Sequence, residues 1–351
     1  MVEIRIAETV DQKEAVFRFR YAIYVEEMGR YKDVADRVDR RLADPEDDWS
    51  WISYALDGDE IVGTLRLTWG GAGFSDRQAR QYGLQPFLDE LPHEVLAVGE
   101  RAMVSPTWRG EDLLAKLGSV IEPLLTAHTV KVVFGACEPH LLSCYCQFQR
   151  PSGSRNINSA EAGYLIPLVS FRPNAEALSG LGAGPGLPKC VEEVVTRGGT
   201  VRSPLVCDPA EYQPEVQAAL AALAAPVFEG FTAEEIDRCT ARSNIISCAD
   251  GDRVLRKGGV ARNVFVVLSG ALEVSDHGHP IAVLLPGDVF GEAAYLLEGA
   301  RTFDVDVLSD DTRILSLSER SLRQLTATDP AVAAKLLGNI SKILCCRLAN
   351  A

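Results

Sequence analysis

The chain has 351 residues, 47% of them hydrophobic and 24% charged, with a formal net charge of −14. A chain of that length is expected to divide into two domains and a connector, and the composition excludes extended disorder. The acidic balance, without a concentrated basic run, excludes nucleic acid from the expected partners.

The opening MVEIRIAETVDQKEAVFRFR has no apolar stretch of signal-peptide length. No uninterrupted apolar run reaches ~18 residues, so no membrane span is expected and the reading is a cytoplasmic protein. Residues 11–31 carry Val16, Phe19, Ala22 and Ile23 at helical spacing. IVGTLRLTW at 61–69 reads as a strand after the turn Asp57-Gly58-Asp59, and EVLAVGERAMV at 94–104 as a second. A helix is expected near 111–127, a strand at 130–137, and another helix opening near Pro139. This order is mixed α/β. The glycine- and proline-rich stretch 179–189 marks a domain edge, and the alanine-rich stretch 215–226 reads as a connector helix. From 228 onward, short alternating segments punctuated by glycine predict a small β-barrel or jelly roll, closed by an apolar helix at 331–348 that offers a surface for a homodimer. The expected divisions are 1–178, a linker and connector at 179–227, and 228–351. The nine cysteines, at 137, 144, 146, 190, 207, 239, 248, 345 and 346, form no CxxC pair. They fit buried reduced thiols, with no disulfide framework and no metal.

Two groups of residues carry chemistry. In the first, Gly291 lets backbone N–H groups approach an anion, a short helix from Glu292 through Ala293 presents its positive end, and Arg301 returns to pair phosphate oxygens. Glu292 suits a ribose hydroxyl, and Thr302 a phosphate or a guanine amino group. Gly291-Glu292 with Arg301-Thr302 resembles the phosphate-binding cassette of cyclic-nucleotide-binding domains, and Gly251, Gly258-Gly259, Gly270 and Gly287 stand where that family places turn glycines. The resemblance implies a β-barrel with flanking helices and cAMP or cGMP as a regulatory ligand. It departs at Ala300, where proline is common, and at Asp304, where a small or hydroxyl residue is usual. With one helix expected after the barrel, a DNA-binding transcription factor is disfavoured.

The second group is RYAIYVEEMGRY, IVGTLRL, ERAMVSPTWRG and CEPHLLSCYCQF. As an ordered set these look like the acyltransferase fold shared by the GNAT superfamily, autoinducer synthases and N-acyl amino acid synthases. The resemblance implies an acceptor site at Arg20, Tyr24, Asp44, Asp47 and Arg66, and donor-orienting groups at Arg101, Arg109 and Gly110. Acyl transfer to an amine needs a proton acceptor, for which Glu100 is the candidate, and a proton for the leaving thiolate, which the resemblance assigns to Tyr145. The pyrophosphate loop of GNAT enzymes departs here: Asp112 and Leu114 replace its small residues. That favours an acyl carrier protein over acyl-CoA as donor. The expectation is a cyclic-nucleotide-regulated N-acyltransferase. Its alternatives are a non-catalytic sensor with a degenerate acyltransferase fold and a lysine acetyltransferase.

Overall fold

The computed structural model describes residues 2–109, 113–146, 148–152, 154–159, 161–172, 175–181, 186–197, 201–202 and 209–349. They divide into two compact units, Met1–Ala136 with Pro167–Arg197, and Cys137–Ile166 with Gly198–Ala351.

In the first unit, strand β1 (Glu3–Ile6) leads into helix α1 (Val10–Arg20). A capping box starts α1: the Gln12 N–H donates to Thr9 Oγ1 at 3.2 Å, and Gln12 Oε1 accepts from the Thr9 N–H at 3.0 Å. The helix does not run evenly to residue 31, as the spacing predicts. It widens into a π-helical turn over Tyr21–Glu27, where the Met28 N–H donates to the Ile23 carbonyl at 3.0 Å. The wider turn changes the phase of the side chains, and Arg20, Tyr21, Ile23 and Val25 are all buried.

Strands β2 (Trp51–Asp57) and β3 (Glu60–Trp69) form a hairpin, followed by helices α2 (Asp76–Gln81) and α3 (Gln85–Glu90), then strand β4 (Leu96–Val104), helix α4 (Leu113–Ala127) and strand β5 (Val132–Cys137). Their order in the sheet is β1-β2-β3-β4-β5, antiparallel except for β4 with β5. Leu113, Leu117, Ile121 and Leu125 make one buried stripe of α4. Gly63 permits the close approach of that helix, because a Cβ there would stand 3.2 Å from both Leu113 Cδ2 and Leu117 Cδ1.

Helix α5 (Leu142–Tyr145), strands β6 (Arg150–Pro151) and β7 (Ile157–Ser159), and strand β8 (Gly163–Phe171) follow, then helix α6 (Lys189–Arg197). β8 belongs to the second unit as far as Ile166 and to the first from Pro167. The 137–166 segment joins the second unit through buried polar contacts. Tyr164 Oη donates to Asp252 Oδ2 at 3.1 Å, Asn158 Nδ2 to Asp252 Oδ1 at 2.7 Å, and Asn156 Nδ2 to the Ser247 carbonyl at 2.9 Å.

The second unit continues with β9 (Val201–Arg202), α7 (Pro209–Ala222), α8 (Ala233–Thr240), β10 (Asn244–Ser247), β11 (Arg253–Leu255), β12 (Val264–Ser269), β13 (Leu272–Asp276), β14 (His279–Leu284), β15 (Val289–Phe290), α9 (Glu292–Leu296), β16 (Asp304–Val307), β17 (Arg313–Leu317), α10 (Glu319–Thr328) and α11 (Pro330–Ala349). Its strands make two antiparallel sheets, β15-β12-β17-β10-β9 and β11-β16-β13-β14. Among the described residues they form a jelly-roll pair rather than a closed barrel. Two helices follow β17 where the pattern predicts one. The expected connector, α7, buries Tyr212, Val216 and Leu220 in a core with Val264, Val266, Leu315, Leu317, Leu336 and Ile340. Alanine content suggests a free helix, whereas the aromatic and branched residues at spacing four give it a buried face. No helix among the described residues is long and apolar enough to cross a membrane. The eight described cysteines are free thiols, and Cys207 lies outside the described residues.

Candidate functional site

The first unit gathers its charged residues in one buried ion-pair cluster. Arg20, at the end of α1, donates through Nη1 to both oxygens of Asp47 at 2.8 Å. Arg66, on β3 and 0% exposed, donates to Asp44 Oδ2 at 2.6 Å, Asp47 Oδ1 at 3.2 Å and Glu100 Oε2 at 2.7 Å. Arg101 grips both oxygens of Asp44 at 2.6 Å, with its guanidinium 4.2 Å from the centre of the Tyr31 ring and 5.5 Å from that of Tyr24. The carboxylates Asp44 and Asp47 are positioned by the short turn Pro45–Asp48, in which the Asp44 N–H donates to Asp47 Oδ2 at 2.7 Å. Arg20, Tyr24, Asp44, Asp47, Arg66, Glu100 and Arg101 therefore come together.

The sequence reading missed four members, Arg77, Gln78, Tyr82 and Glu46. Arg77 on α2 donates to Glu100 Oε1 at 2.8 Å and to Glu46 Oε1 at 3.0 Å. Gln78 donates to Glu100 Oε2 at 2.7 Å, and Tyr82 Oη to Glu100 Oε1 at 3.2 Å. Glu46 is 2% exposed, and Tyr31 completes the aromatic pair with Tyr24 at a 4.9 Å ring separation. No local spacing links residues 77, 78 and 82 to the rest. Arg109 stands apart, paired with Glu27 at 2.6 Å, and Gly110 lies outside the described residues with Glu111 and Asp112.

The electrostatics bear on the expected base. Burial raises the Glu100 carboxyl, but Arg66 and Arg77 outweigh it and bring the pKa down to about 2. Both its oxygens are occupied by donors. This environment argues against Glu100 as the amine's proton acceptor and makes it a group that fixes Arg66, Arg77, Gln78 and Tyr82. Asp44, too, is partly desolvated, yet Arg101 and Arg66 hold it well below the ordinary carboxylate range. Burial pushes the Tyr31 phenol up to about 12. Tyr145, the expected thiolate donor, lies on α5 in the second unit, its ring 5.6 Å from that of Phe148.

Beside the cluster the sheet changes register. β3 and β4 shift between Thr64 and Arg66, and Arg101 has φ +55°, so β4 bulges at that residue. The parallel pairing of β4 with β5 runs from Leu96↔Val132 to Val98↔Phe134, while β4 itself continues to Val104. Past Val98, among the described residues, the β4–β5 register does not continue alongside the bulge.

In the second unit, Gly291 has φ +79°, and a Cβ on it would come within 2.6 Å of Arg301 Nη1 and 2.7 Å of the Asn263 carbonyl. Only glycine fits that corner between β15 and α9. Arg301 is 5% exposed and donates to the Gly291 carbonyl at 2.6 Å and the Asn263 carbonyl at 2.8 Å. Its Nε is buried without a hydrogen-bond partner, and burial lowers the guanidinium pKa to about 10. A buried cation with a spare donor suits an anion. The backbone of Arg301 is clipped to the predicted glycine pair: its N–H donates to Gly259 and its carbonyl accepts from Gly258, each at 2.8 Å. Glu292 is buried and its carboxyl raised by that burial; its Oε1 accepts from Arg347 Nη1 of α11 at 3.1 Å. Ala293 is half-buried and Thr302 exposed. Asp304 accepts from the Lys257 N–H at 2.8 Å and lies 3.7 Å from Arg253, which offsets its charge.

Comparison with known proteins agrees with both halves. Residues 19–119 match the acetyltransferase (GNAT) domain family model, and residues 245–329 the cyclic nucleotide-binding domain model. The L-ornithine N(alpha)-acyltransferase of Rhodobacter capsulatus is 29% identical over 153 residues, covering 39% of this chain and 56% of that protein. The cyclic AMP receptor protein of Thermus thermophilus is 27% identical over 124 residues, covering 34% and 57%. The chain thus spans little more than half the length of these relatives. A solved CoA-dependent acyl-homoserine lactone synthase is 20% identical, with a TM-score of 0.40, over 49% of this chain and 83% of that one.

Proposed function

From a chain that carries a GNAT acetyltransferase domain and, after it, a cyclic nucleotide-binding domain, we propose an N-acyltransferase whose activity is set by cAMP or cGMP. The acyl group comes from an acyl carrier protein or acyl-CoA and passes to an amine. The observation that carries the reading is the Arg20, Arg66, Arg77 and Arg101 cluster beside the bulged β4 edge, where the described β4–β5 register ends at Val98. An acyl-pantetheine arm has amides that such an edge can bind in the manner of an added strand. The relative from Rhodobacter capsulatus, by its name, acylates ornithine, which makes L-ornithine the first acceptor to try.

The nucleotide phosphate pairs with the buried Arg301, including its unpartnered Nε, and the ribose hydroxyl donates to Glu292. Regulation runs along the chain. The 137–166 segment, which carries Tyr145, is fixed to Asp252 and Ser247 of the nucleotide unit, and β8 continues from it into the acyltransferase unit at Pro167. A nucleotide-dependent shift in the second unit then alters strand β8.

The test is acyl transfer to L-ornithine from long-chain acyl-CoA and from acyl carrier protein, with and without each nucleotide, in wild type and Arg301→Ala. Expected are an N-acyl product and a nucleotide response that Arg301→Ala abolishes. A response that survives this substitution refutes the regulatory half, and no product from either donor refutes the enzymatic half. One observation favours the non-catalytic sensor as a second reading: both oxygens of Glu100 are committed to fixed donors.

A further inference from the structure

We propose that Glu46 holds the acceptor's primary amine. The cluster sets four arginines, Arg20, Arg66, Arg77 and Arg101, against four carboxylates, Asp44, Glu46, Asp47 and Glu100. Three of the carboxylates have both oxygens occupied. Asp44 is held at both by Arg101, Asp47 at both by Arg20, and Glu100 by Arg77, Gln78, Tyr82 and Arg66.

Glu46 differs. Its Oε1 accepts from Ser75 Oγ at 2.5 Å, Arg77 Nε at 3.1 Å and Arg77 Nη2 at 3.0 Å. Its Oε2 is buried and has no hydrogen-bond partner; Arg66 Nη2 stands 3.9 Å away, beyond hydrogen-bond reach. A buried carboxylate oxygen without a donor is costly, and folded proteins fill such positions with a donor. The chemistry asked for is a cationic or neutral N–H, which is what a primary amine brings. Of the four arginines Arg77 is the one that reaches solvent: its side chain is 42% exposed, against 0%, 0% and 9% for Arg20, Arg66 and Arg101. A long side chain that reaches solvent can move aside without unpacking the sheet.

This assignment rests on the acyl-transfer reading for its chemical step alone. There, the neutral amine attacks the thioester carbonyl, the C–N bond forms and the C–S bond breaks. The surplus proton on nitrogen passes to Glu46 Oε2 and from there to solvent, and the departing thiolate takes a proton from solvent.

The test compares wild type, Glu46→Gln and Glu46→Asp in two assays. In steady-state transfer from acyl-CoA or acyl carrier protein to a panel of primary amines headed by L-ornithine, Glu46→Gln raises the KM for amine at least tenfold and leaves the KM for donor unchanged. Glu46→Asp, which keeps the charge, recovers part of the loss. In calorimetric titration with L-ornithine, which needs no turnover, wild type binds and Glu46→Gln does not. An unchanged amine KM, or amine and donor KM values rising together as in a structural collapse, overturns the assignment. Thermal melts identify a collapsed variant, in which case Glu46→Asp decides the matter by the same KM comparison. If wild type transfers no acyl group yet binds amine through Glu46, the acyl-transfer reading fails and the site stands.

Discussion

Replacing Arg66 by Met should be the most damaging single change in the first unit. Its guanidinium is fully buried and bridges Asp44, Asp47 and Glu100, so Met removes the charge and keeps much of the volume. Breaking a buried pair while its partners stay charged costs about 3 to 5 kcal/mol. In a unit of this size, where 1 kcal/mol moves the midpoint by about 2 to 4 °C, the melting temperature falls by roughly 6 to 20 °C. Arg66→Lys keeps the charge without the planar fork and should lie between. The pH dependence gives a second signature. The Glu100 pKa is depressed from 4.5 to about 2, so in wild type its pairing contributes stability that is full above pH 4.5 and is lost as pH falls through 2. With Arg66 gone the folded-state pKa rises toward the unfolded value, and the loss of stability on acidification becomes shallower. Thermal unfolding followed from pH 2 to 7 checks both. A midpoint shift under about 2 °C at pH 7, or an unaltered acid profile, would refute the reasoning.

Gly291→Ala should cost the nucleotide site at least tenfold in affinity by calorimetry, because φ is +79° and the new Cβ meets Arg301 Nη1 at 2.6 Å; unchanged affinity would mean that the corner plays no part in binding. Leu117→Ala, in the fully buried stripe of α4, should destabilise the first unit by about 3 kcal/mol in denaturant unfolding, with a loss under 1 kcal/mol counting against the packing described.

The arrangement of the candidate nucleotide site was legible because its chemistry is local. Gly291, Glu292 and Arg301 fall within one strand end, one short helix and the following loop, and each residue type has a steric or electrostatic reason to stand there. The jelly-roll pattern was legible for a similar reason: alternation and turn glycines act over a few residues. What could not be read was the role of α7, whose alanines conceal a buried face, and the phase change at Tyr21–Glu27, since a π-helical turn leaves no spacing signature.

The buried ion-pair cluster of the first unit shows the limit more clearly. It draws on α1, the Pro45–Asp48 turn, β3, α2 and β4, so pairs such as Arg77 with Glu100 and Arg101 with Asp44 are set by tertiary packing. A sequence pattern marks carboxylates without telling which of their oxygens are already occupied. Glu100 stands in the right order along the chain for a base, and the structure surrounds it with donors; Glu46 attracted no notice beside Asp44 and Asp47, and it alone of the four carboxylates keeps an oxygen without one. Room for a further ligand in such a cluster follows from the count of donors around each oxygen. That count exists only once the chain has folded, and for this reason the candidate acceptor group moves from Glu100 to Glu46.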